Sequence, residues 1–212
     1  MLTAKFNLTL RRAVLAALLA GSSSLALADP LGYHVEIDTS AFSGAGFLDF
    51  AFIAGNSPAP GASATLSNFS GAFGALESQE GNVSGSLPGT LTFGNSGAYN
   101  DWFHNVTLGG KFAFNIVFGG DFLNTAGNAG TTFGVGLLDA SGTAYLGNVN
   151  GNLLQFELTP LNGGVPASIA GSTYANIASI SAVPEASEWL MLTGGLALIG
   201  FALRRRQPVM PA

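Results

Sequence analysis

Residues 29–182 predict an all-β domain, an antiparallel β-sandwich of jelly-roll-like kind. Three observations carry that prediction. Apolar and polar residues alternate with a period of two in one short stretch after another, Gly, Asn and Pro turns separate those stretches, and no stretch shows the 3.6-residue periodicity of an amphipathic helix. With 48% hydrophobic residues, 16 Phe and 30 Gly, the chain has the apolar bulk for a core and small residues for turns, which excludes a disordered chain. A closed membrane barrel would need a lipid-facing stripe in strands of about ten residues, and these strands are shorter. A β-helix would show a short regular repeat, and none is visible.

The first strand is read from Tyr33, Val35 and Ile37, which alternate with His34, Glu36 and Asp38. After the turn-like Ser43-Gly44-Ala45-Gly46, Leu48, Phe50 and Phe52 interleave with Asp49 and Ala51. Pro58, Pro60 and Gly61 then break the pattern. Ala64, Leu66 and Asn68-Phe69 resume it, and Phe73-Gly74-Ala75-Leu76 and Thr90-Leu91-Thr92-Phe93 continue with short strands. Trp102 to Phe118 gives the strongest hairpin signal. There Gly109-Gly110 supplies a two-residue turn able to take positive φ, and Phe112, Phe114, Ile116 and Phe118 place four large side chains on one face. Phe133, Val135 and Leu137 form the next strand, Asp139-Ala140-Ser141-Gly142 a turn before Tyr145, and Leu154, Phe156 and Leu158 alternate with Gln155 and Glu157. After a loop from Pro160 to Pro166, a weaker last strand is predicted over Tyr174 to Ile180.

Both ends read as membrane-directed. Residues 1–28 form a secretory signal peptide, with Lys5, Arg11 and Arg12 ahead of an apolar run from Ala13 to Ala20. Ala26-Leu27-Ala28 sets cleavage before Asp29. Residues 183–212 begin Val183-Pro184-Glu185-Ala186, continue in the uncharged run Trp189 to Leu203, and turn basic at Arg204-Arg205-Arg206. An uncharged helix-forming run with an interfacial Trp at one end and arginines at the other suits a transmembrane helix with its basic end in the cytoplasm. Its 15 residues span about 22 Å as a helix, against a hydrocarbon core of about 30 Å. A segment that thin snorkels its arginines or thins the bilayer, so it reads as a tether. A plain C-terminal anchor is one alternative. A buried core helix is another, opposed by three consecutive arginines that would be hard to bury.

This order of parts resembles the PEP-CTERM sorting signal of Gram-negative bacteria. The matching residues are Val183, Pro184 and Glu185, then Trp189-Leu190-Met191-Leu192, Gly194-Gly195-Leu196, Gly200 and Arg204 to Arg206, with Ala186 where the motif has its second proline. The resemblance covers the last 30 residues. It implies a partner, a membrane-embedded exosortase that cleaves near the motif, and a chain held briefly at the inner membrane before it reaches the cell surface or extracellular matrix, in association with exopolysaccharide. Tyr33-His34-Val35-Glu36-Ile37-Asp38-Thr39-Ser40, Gly46-Phe47-Leu48-Asp49-Phe50-Ala51-Phe52 and Leu66-Ser67-Asn68-Phe69 are similar to segments of one group of such proteins, which implies no particular activity.

Charge and cysteine narrow the rest. Lys111 is the sole base between Asp29 and Val183, against ten acids (all twelve except Glu185 and Glu188), for a formal charge of −9. Without clustered Lys or Arg that stretch offers nothing to nucleic acid. With no cysteine there is no disulfide, thiolate zinc site or cysteine nucleophile. His104 three residues after Asp101 could be oriented by it, but no nucleophile elbow accompanies the pair and two histidines do not close a zinc site. Both His34 and His104 therefore read as surface or strand-edge residues, and no enzyme is expected. Asp121, Asn124 and Asn128 share a Gly-rich loop, and Asp38 and Asp49 lie near strand ends. Such hard oxygens are what a structural calcium ion would take, although Asp and Asn also favour turns. Tyr99, Asn100 and Trp102, beside Asp101 and Phe103, suggest a sugar platform of stacked ring and adjacent amide, against the reading that Trp102 belongs to the core.

Overall fold

Alternation along each strand decides which side chains go inside. In β1 (Gly32–Asp38) Tyr33, Val35 and Ile37 are buried and their neighbours are half-buried. In β8 (Lys111–Gly119) Phe112, Phe114, Ile116 and Phe118 are all at most 1% exposed. The computed structural model describes residues 31–55, 59–183 and 193–197. Its compact β unit, Pro30–Val183, is completed by β2 (Gly44–Ala54), β3 (Ser63–Ser70), β4 (Phe73–Glu80), β5 (Val83–Gly85), β6 (Leu91–Gly94), β7 (Tyr99–Leu108), β9 (Thr131–Leu138), β10 (Leu154–Thr159), β11 (Ser168–Thr173) and β12 (Ala178–Ala182).

These twelve strands make two antiparallel six-stranded sheets, a β-sandwich-like fold. The first runs β12-β1-β8-β3-β6-β5 and the second β11-β10-β9-β2-β7-β4. Rings from the two sheets meet between them. Phe50 lies 5.5 Å from Phe114, Phe133 lies 6.2 Å from Phe118 and 5.7 Å from Phe93, and Tyr33 lies 4.9 Å from Phe156. Among the described residues nine phenylalanines are under 2% exposed. At about 1.5–3 kcal/mol for each buried side chain of this size, they dominate the stability of the fold.

Three expectations change. The segment from Trp102 to Phe118 is not a hairpin, because β7 and β8 belong to opposite sheets. Gly109 does take positive φ, at 108°, but the turn arches from one sheet to the other. Thr39 holds it there, its hydroxyl donating to the Gly110 carbonyl at 2.7 Å and accepting from the Gly109 N–H at 3.1 Å. The β8 rings thus meet the other sheet across the core, Phe112 at Phe73, Phe114 at Phe50 and Phe118 at Phe133 and Phe156. Second, the end of the unit is two strands, β11 and β12, with Tyr174 to Ile177 as the bend between sheets. β12 is fixed there by pairing with β1, from Tyr33 opposite Ala182 to Ile37 opposite Ala178. Third, Asp49 stands in the middle of β2, opposite Phe103 on one side and Gly136 on the other.

The predicted signal peptide, Pro184, Glu185, Ala186, Trp189 and Arg204 to Arg206 lie outside the described residues. Val183 is described, and its N–H donates to the Gly32 carbonyl at 2.9 Å. Residues 193–197 are helical. Among the described residues no helix is long and apolar enough to cross a membrane.

Candidate functional site

Strand β7 sorts the predicted sugar platform onto two faces. Period two sends Asn100, Trp102 and His104 inward and Tyr99, Asp101 and Phe103 outward. Asn100 is fully buried, its amide donating to the carbonyls of Phe52 at 2.9 Å and Gly97 at 3.1 Å and accepting from the N–H of Asn82 at 2.7 Å. It is a structural residue. Trp102 is 3% exposed and stacks on the His104 ring at 6.2 Å, so it offers no open face. Tyr99 alone of the three is at the surface, 44% exposed on the outer face. The structure does not bring Tyr99 and Trp102 together.

His104 is also buried, not at the surface as expected, and its neighbour Asp101 points the other way. Neither ring nitrogen of His104 has a hydrogen-bond partner, nor has the Trp102 indole N–H. The Gly74 carbonyl lies beside the imidazole and opposes, without cancelling, the burial that holds the His104 pKa down. His34, by contrast, is half-buried on the outer face of the first sheet with Nδ1 2.8 Å from Asn115 Oδ1.

On the outer face of the second sheet the register brings two carboxyl groups together. Ala51 is opposite Asp101, so Asp49, two residues before it on β2, is the diagonal neighbour of Asp101. The carboxyls approach within hydrogen-bonding reach. Oδ1 of each is buried without a partner. Two carboxylates in contact repel unless a proton lies between them. Burial first, and then Asp101, pushes the Asp49 pKa up to about 8. Tyr99 stands beside them, its phenol pushed up to about 12 by burial and then by the charges of Asp101 and Asp49.

The same face continues across β9 and β10. Glycines at 134 and 136 leave room over β9, and the residue 139–153 loop fills it. Asp139 closes the first turn of that loop, its carboxylate accepting from Ser141 Oγ at 2.8 Å and from the N–H groups of Thr143 and Ala144. The Ser141 hydroxyl first, and then those N–H groups, hold its pKa low. Tyr145 then returns alongside Leu138. A Cβ on Gly136 would lie 3.2 Å from Tyr145 Cε1, 3.5 Å from Asp49 Cβ and 3.7 Å from Asn152 Oδ1, so these three groups surround one point above the sheet. A Cβ on Gly134 would collide with the Asn152 amide. Beyond Asn152 an open cleft of about 380 Å³ is lined by Asn148, Asn150, Gly151, Asn152, Gln155 and Tyr174.

The residues suggested for calcium are only partly assembled. Asp121 starts a single 3-10 turn, Asp121–Leu123, and its side chain borders a shallow groove with Asn82, Asn95 and Ser96. Asn124 and Asn128 are exposed and do not line that groove. Among the described residues no three His, Cys, Asp or Glu side chains are grouped to hold a metal.

Comparison with protein-family models, with curated proteins and with solved structures gives no match. The sequence reading passed over the Asn148–Asn152 cleft, because Asn and Gly in a run look like turn chemistry. It did not pair Asp49 with Asp101, since the diagonal depends on the β2–β7 register. The only signal for that pair was the period of two in each segment, which put an acid on the outer face of each.

Proposed function

We propose that this is an exported, non-enzymatic protein of the cell surface or extracellular matrix, sorted and processed through a PEP-CTERM-type tail and associated with exopolysaccharide. On this reading the signal peptide exports the chain and the run from Trp189 to Leu203 holds it at the inner membrane. An exosortase-type enzyme then cuts near Pro184-Glu185. The observation that carries the reading is the ordered tail, Val183-Pro184-Glu185, Trp189 and Arg204-Arg205-Arg206, beginning at the residue that follows β12. A processing site at that point leaves the paired strands intact. The sandwich itself is read as jelly-roll-like, because β1-β8-β3-β6 in one sheet and β2-β7-β4 in the other alternate along the chain as two interleaved Greek keys do.

The test is intact mass and location in the native cell, wild type against the Pro184→Ala/Glu185→Ala double variant. The expected wild type is outside the cell and shortened at both ends, and the variant stays in the membrane fraction with its C-terminus whole. If both keep Arg204 to Arg206 and remain in the membrane, the tail is a plain anchor.

A second reading, a carbohydrate-binding module, is favoured by one observation: the cleft beside Asn152 is lined by amides and a tyrosine, with no charged side chain.

A further inference from the structure

We propose that the cleft formed by Asn148, Asn150, Gly151, Asn152, Gln155 and Tyr174 is a subsite for a neutral oligosaccharide. In it Tyr174 is the stacking platform, and the side chains of Asn150 and Asn152 are the partners of the sugar hydroxyls. This inference rests on the carbohydrate-binding reading and gives it a place and a ligand class.

The chemistry of the lining selects the ligand. Each amide offers an acceptor oxygen and two donor hydrogens on adjacent atoms, which matches a pair of neighbouring hydroxyls that both donate and accept. A lining without charge gives no counter-ion to a phosphate, a uronate or an amine. The domain carries a formal −9 between Asp29 and Val183, which repels acidic polymers further. At about 380 Å³ the cleft falls within the range of small-ligand sites, and its amides give a ligand several polar partners.

Position and preorganisation point the same way. Tyr174 is 53% exposed although its own N–H is anchored to the Leu153 carbonyl at 2.8 Å, so the ring is held at the surface by the backbone beneath it. Such a ring stacks on the apolar face of a pyranose. Asn148 braces the loop, donating to the Asn152 carbonyl at 2.6 Å and accepting from the Asn150 N–H at 3.2 Å. The side-chain amides of Asn150 and Asn152 have no hydrogen-bond partner among the described residues, so their capacity is open to a ligand. Asn152 lies flat on the sheet because position 134 is glycine.

The experiment uses the full-length protein in a non-glycosidic detergent, with binding measured by calorimetry to hexamers of β-1,4-glucose, β-1,4-mannose and β-1,4-galactose, and to polygalacturonate as the acidic control. Binding to at least one neutral hexamer is expected, weakened at least tenfold by Tyr174→Ala and severalfold by Asn150→Ala, and left unchanged by Tyr99→Ala on the far side of the same face. All three substitutions are at exposed positions, and unchanged thermal unfolding shows that each variant is folded. Hexamer binding that is indifferent to Tyr174→Ala and Asn150→Ala overturns the cleft while the carbohydrate-binding reading stands. Preference for polygalacturonate overturns the neutral class. Absence of binding to all four probes overturns the cleft and the carbohydrate-binding reading together.

Discussion

The two flanks of the second sheet are built on opposite principles. On the β9–β10 flank the inner face is hydrocarbon: Phe133 lies within 6.5 Å, centroid to centroid, of Phe52, Phe93, Phe118 and Phe156. Apart from Thr131 at the start of β9, whose hydroxyl accepts from the Asn95 amide at 2.8 Å, polar groups on that flank stay outside, in a loop and cleft open to water. On the β4–β7 flank the burial runs across both faces. Asn100, Trp102 and His104 go inward, and Asp101 is buried on the outer side against Asp49. Alternation sorts residues between faces, but it does not make the outer face wet. The flank with polar groups buried without partners is the one where stability has been given up.

The contrast predicts different consequences of substitution. The largest belongs to the aromatic flank: Phe133→Ala should lower unfolding stability by about 3–5 kcal/mol, read from urea denaturation midpoints, because neighbouring rings cannot collapse into the space. A loss below about 1 kcal/mol would show that the aromatic cluster is not the stabilising half.

Next comes the carboxyl pair. Folded Asp49 holds its proton up to about pH 8, whereas its ordinary pKa is 3.8. The folded state therefore binds more protons between those values, and the Asp49 contribution to stability falls as pH rises through that window, then levels off. Asp49→Asn should flatten the fall and leave the protein more stable than wild type at pH 9 by on the order of 2 kcal/mol, measured by thermal unfolding across pH 4–9. Identical pH profiles for wild type and variant would mean that neither burial nor Asp101 raises the Asp49 pKa in the folded protein.

The smallest effect is expected at His104. Burial holds its folded pKa below the ordinary 6.5, so its contribution is complete above that pH and is lost as pH falls below it. On the Asp49→Asn background, His104→Phe should leave stability at pH 7 within about 1 kcal/mol, since an unpartnered ring is exchanged for an apolar one, and should reduce the loss between pH 6.5 and 5. A loss of several kcal/mol at pH 7 would show that His104 is hydrogen-bonded in solution and that the two flanks are more alike than described.

How far the sequence could be read follows from what each feature depends on. Burial of Val35, Ile37, Phe50, Phe52, Phe112 and Phe114 depends on alternation within a strand, which is local. Gly109-Gly110 shows a turn, but whether it makes a hairpin or an arch depends on where β8 finds its partners, β1 and β3, which lie far away in sequence. The inward turn of Trp102 is likewise a matter of register. Asp49 meets Asp101 because β2 pairs with β7, and Asn152 rests on Gly134 because a loop folds back over β9. Each of those requires the sheet before it can be seen.

The pairing of β1 with β12 sets how the domain would bear load. The N–H of Val183 bonds to the carbonyl of Gly32, so the first and last strands of the unit leave it side by side. A force drawing those two ends apart would meet the ladder at its open end and break it one bond at a time, beginning with Val183 to Gly32. The same strands pulled along their length would resist together. A chain pulled by both ends would thus yield first by peeling β12 from β1, leaving the β1–β8 ladder and the aromatic interior behind it in place.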